Sequence, residues 1–137
     1  MPIFFSIRAR FVGLALASLS LPLVSVNAFA ASADYQFKLV STTPNGPLKD
    51  DLAIRLIHIP DGKAITDAVI FKVGTDMGPS GMETMTGGAS LLPPDAAGLY
   101  HVQTTAGMAG NWEVVLSAKV QGEAETVTGK LTYAAAN

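Results

Sequence analysis

From Leu52 to Tyr133 the apolar residues recur at every second position in run after run, and proline and glycine break each run after six to ten residues. "LAIRLIHI" (52–59) sets Leu52, Ile54, Leu56 and His58 on one face and Ala53, Arg55, Ile57 and Ile59 on the other. That two-residue period suits a strand with one buried face and no helix. "DYQFKLV" (34–40) comes before it, separated by "PNGPL", and "PDG" (60–62) follows as a turn. "AITDAVIFKV" (64–73) should turn Val69, Phe71 and Val73 inward and Lys72 outward. "LYHVQT" (99–104) sets Tyr100 and Val102 against His101 and Gln103. "NWEVVLSAKV" (111–120) turns Trp112, Val114, Leu116 and Ala118 inward, and "ETVTGKLTY" (125–133) continues with Val127, Leu131 and Tyr133. The run Ala134 to Asn137 reads as a frayed tail.

Six or seven short strands with regularly spaced turns, and no helical period after residue 30, predict an all-β fold. The expected architecture is an immunoglobulin-like antiparallel β-sandwich of about seven strands, with Trp112 bridging the sheets. The chain has no cysteine, so there is no disulfide and the apolar core alone must hold the sheets together. The same absence excludes thiolate metal sites and thiol catalysis.

The first thirty residues are set apart. Arg8 and Arg10 precede an uncharged apolar stretch that closes on Ala28-Phe29-Ala30, the pattern of a cleaved signal peptide. Residues 1–30 are therefore expected to be removed on export to the periplasm, leaving 31–137 as one domain. An uncleaved segment anchoring the domain to the inner membrane is the alternative. Losing Arg8 and Arg10 takes nine basic side chains to seven against eleven acidic, a net charge of −4. Such a surface offers no platform for nucleic acid, which needs clustered lysine and arginine.

No nucleophile elbow, zinc-protease helix or phosphate loop is present, and His58 and His101 are the only histidines. Asp50-Asp51, a carboxylate pair at a strand start, reads as a solvated turn sooner than as a general acid and base, so the expectation is a protein that is not an enzyme and has no small-molecule substrate. The methionines are more informative. Met77, Met82 and Met85 fall within "TDMGPSGMETMTGG" (75–88), and Met108 lies in "TAGMAGNW". Both stretches are rich in glycine and read as loops. Thioethers are soft, uncharged donors that select Cu(I), and an irregular backbone lets several sulfurs turn to one point. Asp76 and Glu83 add negative charge beside them. The competing reading is that methionine merely fills gaps over one end of the sandwich. His101, facing away from the core, is a further candidate ligand or an ordinary surface histidine. His58 reads as a partly buried residue at a strand end.

The segments "DGKAITDAVIFKVGTDMGPSGMETMTG" and "GLYHVQTTAGMAGNWEVVLSAKVQGEAETVTGKL" resemble the FixH/YtkA-like family of exported domains over about residues 36 to 132. The resemblance rests chiefly on the methionine loop, "GLYHVQ" and the "MAGNWEV" element. It implies an immunoglobulin-like sandwich associated with copper, working beside cytochrome oxidase assembly or heavy-metal efflux. Carried over, the positions that match are Met77, Met82, Met85 and Met108, with His101 at a place that need not be histidine. The function this implies is a periplasmic Cu(I) carrier or chaperone whose partner is a membrane metal transporter or oxidase assembly protein. The alternative is an accessory interaction module of such a system that binds no metal.

Overall fold

A computed structural model describes residues 32–137 of the chain, so the expected signal peptide lies outside the described residues. After a short 3-10 turn (Ser32–Asp34) come eight strands: β1 (Tyr35–Pro44), β2 (Lys49–His58), β3 (Lys63–Ile65), β4 (Val69–Met77), β5 (Met82–Leu92), β6 (Tyr100–Thr105), β7 (Gly110–Lys119) and β8 (Val127–Ala135). All pairings are antiparallel. The fold is the expected all-β sandwich. β1 runs along one side of β2, while β6 and then the short β3 share the other side. β4, β7 and β8 form the second layer.

β5 joins the two layers. Its first part pairs with β4, and from Gly88 onward it pairs with β6. At the crossing a side chain on Gly87 would put its Cβ 2.5 Å from the Thr105 carbonyl oxygen and 3.2 Å from the Trp112 ring. Only a glycine lets the strand pass so close to β6 and the core. On the opposite seam Phe37 of β1 lies over Gly129 of β8, so the outer strands of the two layers meet.

The period-2 reading holds where the strands are regular. Leu52, Ile54 and Leu56 of β2, Val102 of β6, and Trp112, Val114, Leu116 and Ala118 of β7 are all fully buried. Burying a side chain of this size stabilises the fold by about 1.5–3 kcal/mol each relative to exposure. β4 departs from the expectation. Ile70 pairs with Ala118 and Lys72 with Ser117, so Phe71 is an extra residue bulged out of the ladder. Val69 (64 % exposed) and Phe71 (56 %) therefore face solvent, and Ile70 is the buried residue. A bulge inserts one residue and reverses the parity that alternation would propagate. Past it Val73, Thr75 and Met77 take the inward face.

The tail also differs. β8 continues to Ala135, which is buried, and the Ala136 carbonyl accepts a hydrogen bond from Leu48 N–H at 3.1 Å. No helix among the described residues is long and apolar enough to cross a membrane.

Candidate metal centre

The methionine segment 75–88 is not one open loop. β4 runs into it as far as Met77, a 3-10 turn (Gly78–Ser80) reverses the chain, and β5 leaves from Met82, whose partner is Met77. Pro79 sits early in the turn and Gly81 closes it at φ 76°, the left-handed conformation that glycine adopts without strain. The Asp76 carboxylate accepts the Gly78 N–H at 2.8 Å and fixes the start of the turn.

Pairing of β4 with β7 brings this hairpin to the loop that joins β6 to β7. Asp76 faces Glu113, and Ser80 Oγ donates to the Asn111 carbonyl at 3.0 Å. The indole N–H of Trp112 donates to the Met108 carbonyl at 3.0 Å, anchoring the loop that carries Met108 to the core. The hairpin and the Met108 loop are thus neighbours at one end of the sandwich.

The four methionines there are of two kinds. Met82 is 37 % exposed, Met85 38 % and Met108 44 %, so all three are open to solvent. Met77 is 2 % exposed and belongs to the core cluster with Trp112, Val114 and Tyr133. Its methyl group lies 3.0 Å from the position a Cβ on Gly110 would take, so the thioether packs tightly against the glycine at the start of β7. The expectation that the segment's methionines sit in a loop is corrected: Met77 is an inward residue of β4, and Met82 and Met85 belong to β5.

Acid charge flanks the hairpin. Lys130 Nζ bonds Glu113 Oε1 at 2.9 Å, and that bond, then the charges of Glu113, Asp76 and Glu83, raise the lysine's pKa. Glu113 thus holds the ammonium directly, and Asp76 and Glu83 act on it through their charge alone.

His101 is elsewhere. It lies on β6 opposite Ala53 and Leu92, while the methionine end begins at Thr105. Four residues of strand separate the two, about 13 Å at the rise of a β-strand. Its Nε2 is 2.8 Å from Asp95 Oδ2, and Asp95 also accepts the N–H groups of Ala97 and Leu99. The His101 bond first, then the Leu99 N–H, lowers the Asp95 pKa. His58 pairs through Nδ1 with Asp61 at 2.9 Å and tilts against the Tyr35 ring, 5.0 Å between centroids. Each histidine thus has a carboxylate of its own, and His101 is not brought to the methionines. Among the described residues no three His, Cys, Asp or Glu side chains converge as a metal site.

Sequence reasoning missed a buried polar group under the same end. Asp50, read as part of a solvated turn, lies inside β2 and is 4 % exposed, as is Thr75. Among the described residues, Asp50 Oδ2, Thr75 Oγ1 and the Tyr133 hydroxyl are buried without a hydrogen-bond partner. Extending the inward parity of Leu52 back by two would have placed Asp50 in the core.

A family model described as YtkA-like matches residues 29–117, which takes in β1 to β6, most of β7 and all four of these methionines. No match is found among curated proteins or among solved structures.

Proposed function

Since the chain belongs to the YtkA-like family, we propose that it is an exported copper-binding protein that carries Cu(I) on methionine thioethers and exchanges it with a membrane partner. The observation that carries this reading is the placement of Met82, Met85 and Met108, all exposed, on the β4–β5 hairpin and the adjoining β6–β7 loop at one end of the sandwich. The donor set fits the ion. Thioethers are soft and uncharged, and cysteine, the other soft donor, is absent from the chain. The acidic side chains Asp76, Glu83 and Glu113 favour a cation nearby.

The chemistry is ligand exchange, with no bond-making step and no catalytic residue. Cu(I) is the cargo, held by few enough exposed donors that a partner's thioethers or thiols can replace them one at a time. A membrane metal transporter or an oxidase assembly protein in the periplasm is the proposed partner. His101, tied to Asp95 at a distance from the methionines, is not needed as a ligand.

Competition titration with a Cu(I) chelator tests the proposal. The wild type should bind one Cu(I), and replacing Met82, Met85 and Met108 together by leucine should abolish binding while leaving the fold intact. Unchanged affinity in the triple variant would refute it. A triple variant that folds but fails to engage a membrane partner in the absence of copper would instead favour an apolar docking role.

A further inference from the structure

We infer that Asp50 is a proton-dependent latch on the methionine end: it holds that end closed when protonated and loosens it, exposing Met77, when ionised. The inference concerns the apo fold and does not depend on which metal the methionines bind.

The geometry begins with where Asp50 points. It shares the inward parity of Leu52 and Ile54 and is 4 % exposed, yet its Oδ2 has no partner. The groups facing it from the packed elements are neutral. Thr104 lies opposite on β6 and gives its hydroxyl to the Asp50 carbonyl at 3.2 Å. Thr75 of β4 and Tyr133 of β8 line the same interior. Burial, first of all, and the charge of Asp50 raise the Tyr133 pKa. On its own strand Lys49 points to solvent, and Asp51 adds a like charge. Asn45 and Gln103 direct their amides to Asp51. Among the described residues no cation compensates Asp50, so burial, and then Asp51, raise its pKa.

A carboxylate left ionised and unpaired in such a place is costly, whereas the neutral acid is penalised far less by the same burial. Relief requires water to reach Asp50, and the chain around it shows what must yield. The Leu48 carbonyl accepts the Ala106 N–H at 2.8 Å and the Leu48 N–H donates to the Ala136 carbonyl at 3.1 Å. Leu48 itself sits at φ 56°, unusual for a branched residue. The segment Leu48–Asp50 thus ties the Met108 loop to the end of β8. Moving it to hydrate Asp50 releases the loop that runs to Gly110, against which the Met77 methyl is packed.

The linkage has a definite sign. A carboxyl whose pKa is raised in the closed state binds its proton more tightly there than in the open state. Closure is therefore favoured fully below the ordinary value of about 3.9 and is lost as pH rises through the raised value. Between the two values the open population grows by up to about tenfold per pH unit, and above the raised value it levels off.

Methionine oxidation by dilute hydrogen peroxide reads this directly, since each thioether takes one oxygen atom and the peroxide leaves as water. The metal-free protein is treated from about pH 4 to pH 8, and sulfoxide at each methionine is quantified by mass spectrometry. Met77 oxidation, divided by that of exposed Met82, should rise at least severalfold with pH and then plateau. Asp50→Asn should keep the ratio low and flat. Asp51→Asn, which removes the like charge, should move the plateau to lower pH. A flat ratio in the wild type overturns the inference, as does a slope that survives in Asp50→Asn. Should Asp50→Asn not fold, the Asp51→Asn series decides: an unmoved plateau overturns the inference and a shifted one supports it.

Discussion

Replacing Met77 by alanine tests whether the hairpin's methionines really divide into one core residue and an exposed set. Met77 is 2 % exposed, so the substitution removes a fully buried side chain worth about 1.5–3 kcal/mol by transfer alone. The space left between Gly110 and the core cannot fully collapse, because the Met108 loop above is held by the Trp112 indole bond. Adding the cavity brings the expected loss to about 2–5 kcal/mol. For a domain of about 100 residues that lowers Tm by at least about 8 °C. Met82→Ala and Met108→Ala, at 37 % and 44 % exposure, should each cost about 0–1 kcal/mol. Urea unfolding followed by Trp112 fluorescence measures all three, with a constant m-value required for the comparison. Met77→Leu, which keeps the volume, should cost less than about 1.5 kcal/mol and separates packing from sulfur chemistry. Equal losses for Met77→Ala and Met82→Ala would refute the division.

Other outcomes follow from the same geometry. Trp112→Ala should cost about 3–5 kcal/mol in the same unfolding assay, because the indole is fully buried and its N–H holds the Met108 carbonyl. Gly87→Ala should cost at least about 1–3 kcal/mol, since its methyl would collide with the backbone of Thr105. All three tyrosines carry raised pKa values, Tyr35 pushed up to about 12 by burial and by its bond to Glu123. Spectrophotometric titration should therefore show less tyrosinate in the native than in the unfolded protein at about pH 10, where unfolded tyrosines are half ionised. Because the folded values are raised, that stability is present below about pH 10 and is lost as pH climbs through the folded values. Asp95 runs the other way: its lowered pKa gives stability above about pH 3.9 that is lost on further acidification. His101→Gln should bring its carbon-detected NMR titration back toward the ordinary carboxylate value.

The strands whose ladders are regular were legible because alternation alone decides which face of a regular strand is buried. β2 and β7 show it, with every second residue from Leu52 and from Trp112 in the core. β4 was misread at Phe71, since an inserted residue leaves no mark in a run of apolar side chains. The run read from alternation stops at Val73, whereas β4 continues to Met77. Continuing from Val73 through Thr75 would have placed Met77 inward. Which loops lie at one end was not legible, because it depends on the pairing of β4 with β7 across nearly forty residues of chain. For the same reason the sequence left His101 beside the methionines as a candidate, although the register of β6 sets it toward the other end. The buried state of Asp50 was hidden by its polar neighbours, which suggest a turn, while the strand extends to Lys49.

The central claim is that thioethers at the hairpin and the Met108 loop hold Cu(I) without help from histidine, and the pH dependence of affinity tests it most directly. Thioethers do not titrate, whereas a histidine ligand must shed a proton with an ordinary pKa of about 6.5. A competition titration from about pH 7.5 to 5, corrected for the chelator's own protonation, should give a nearly constant Cu(I) affinity, and His101→Ala should leave it unchanged. A loss approaching tenfold per pH unit at the acid end, removed by His101→Ala, would contradict the account.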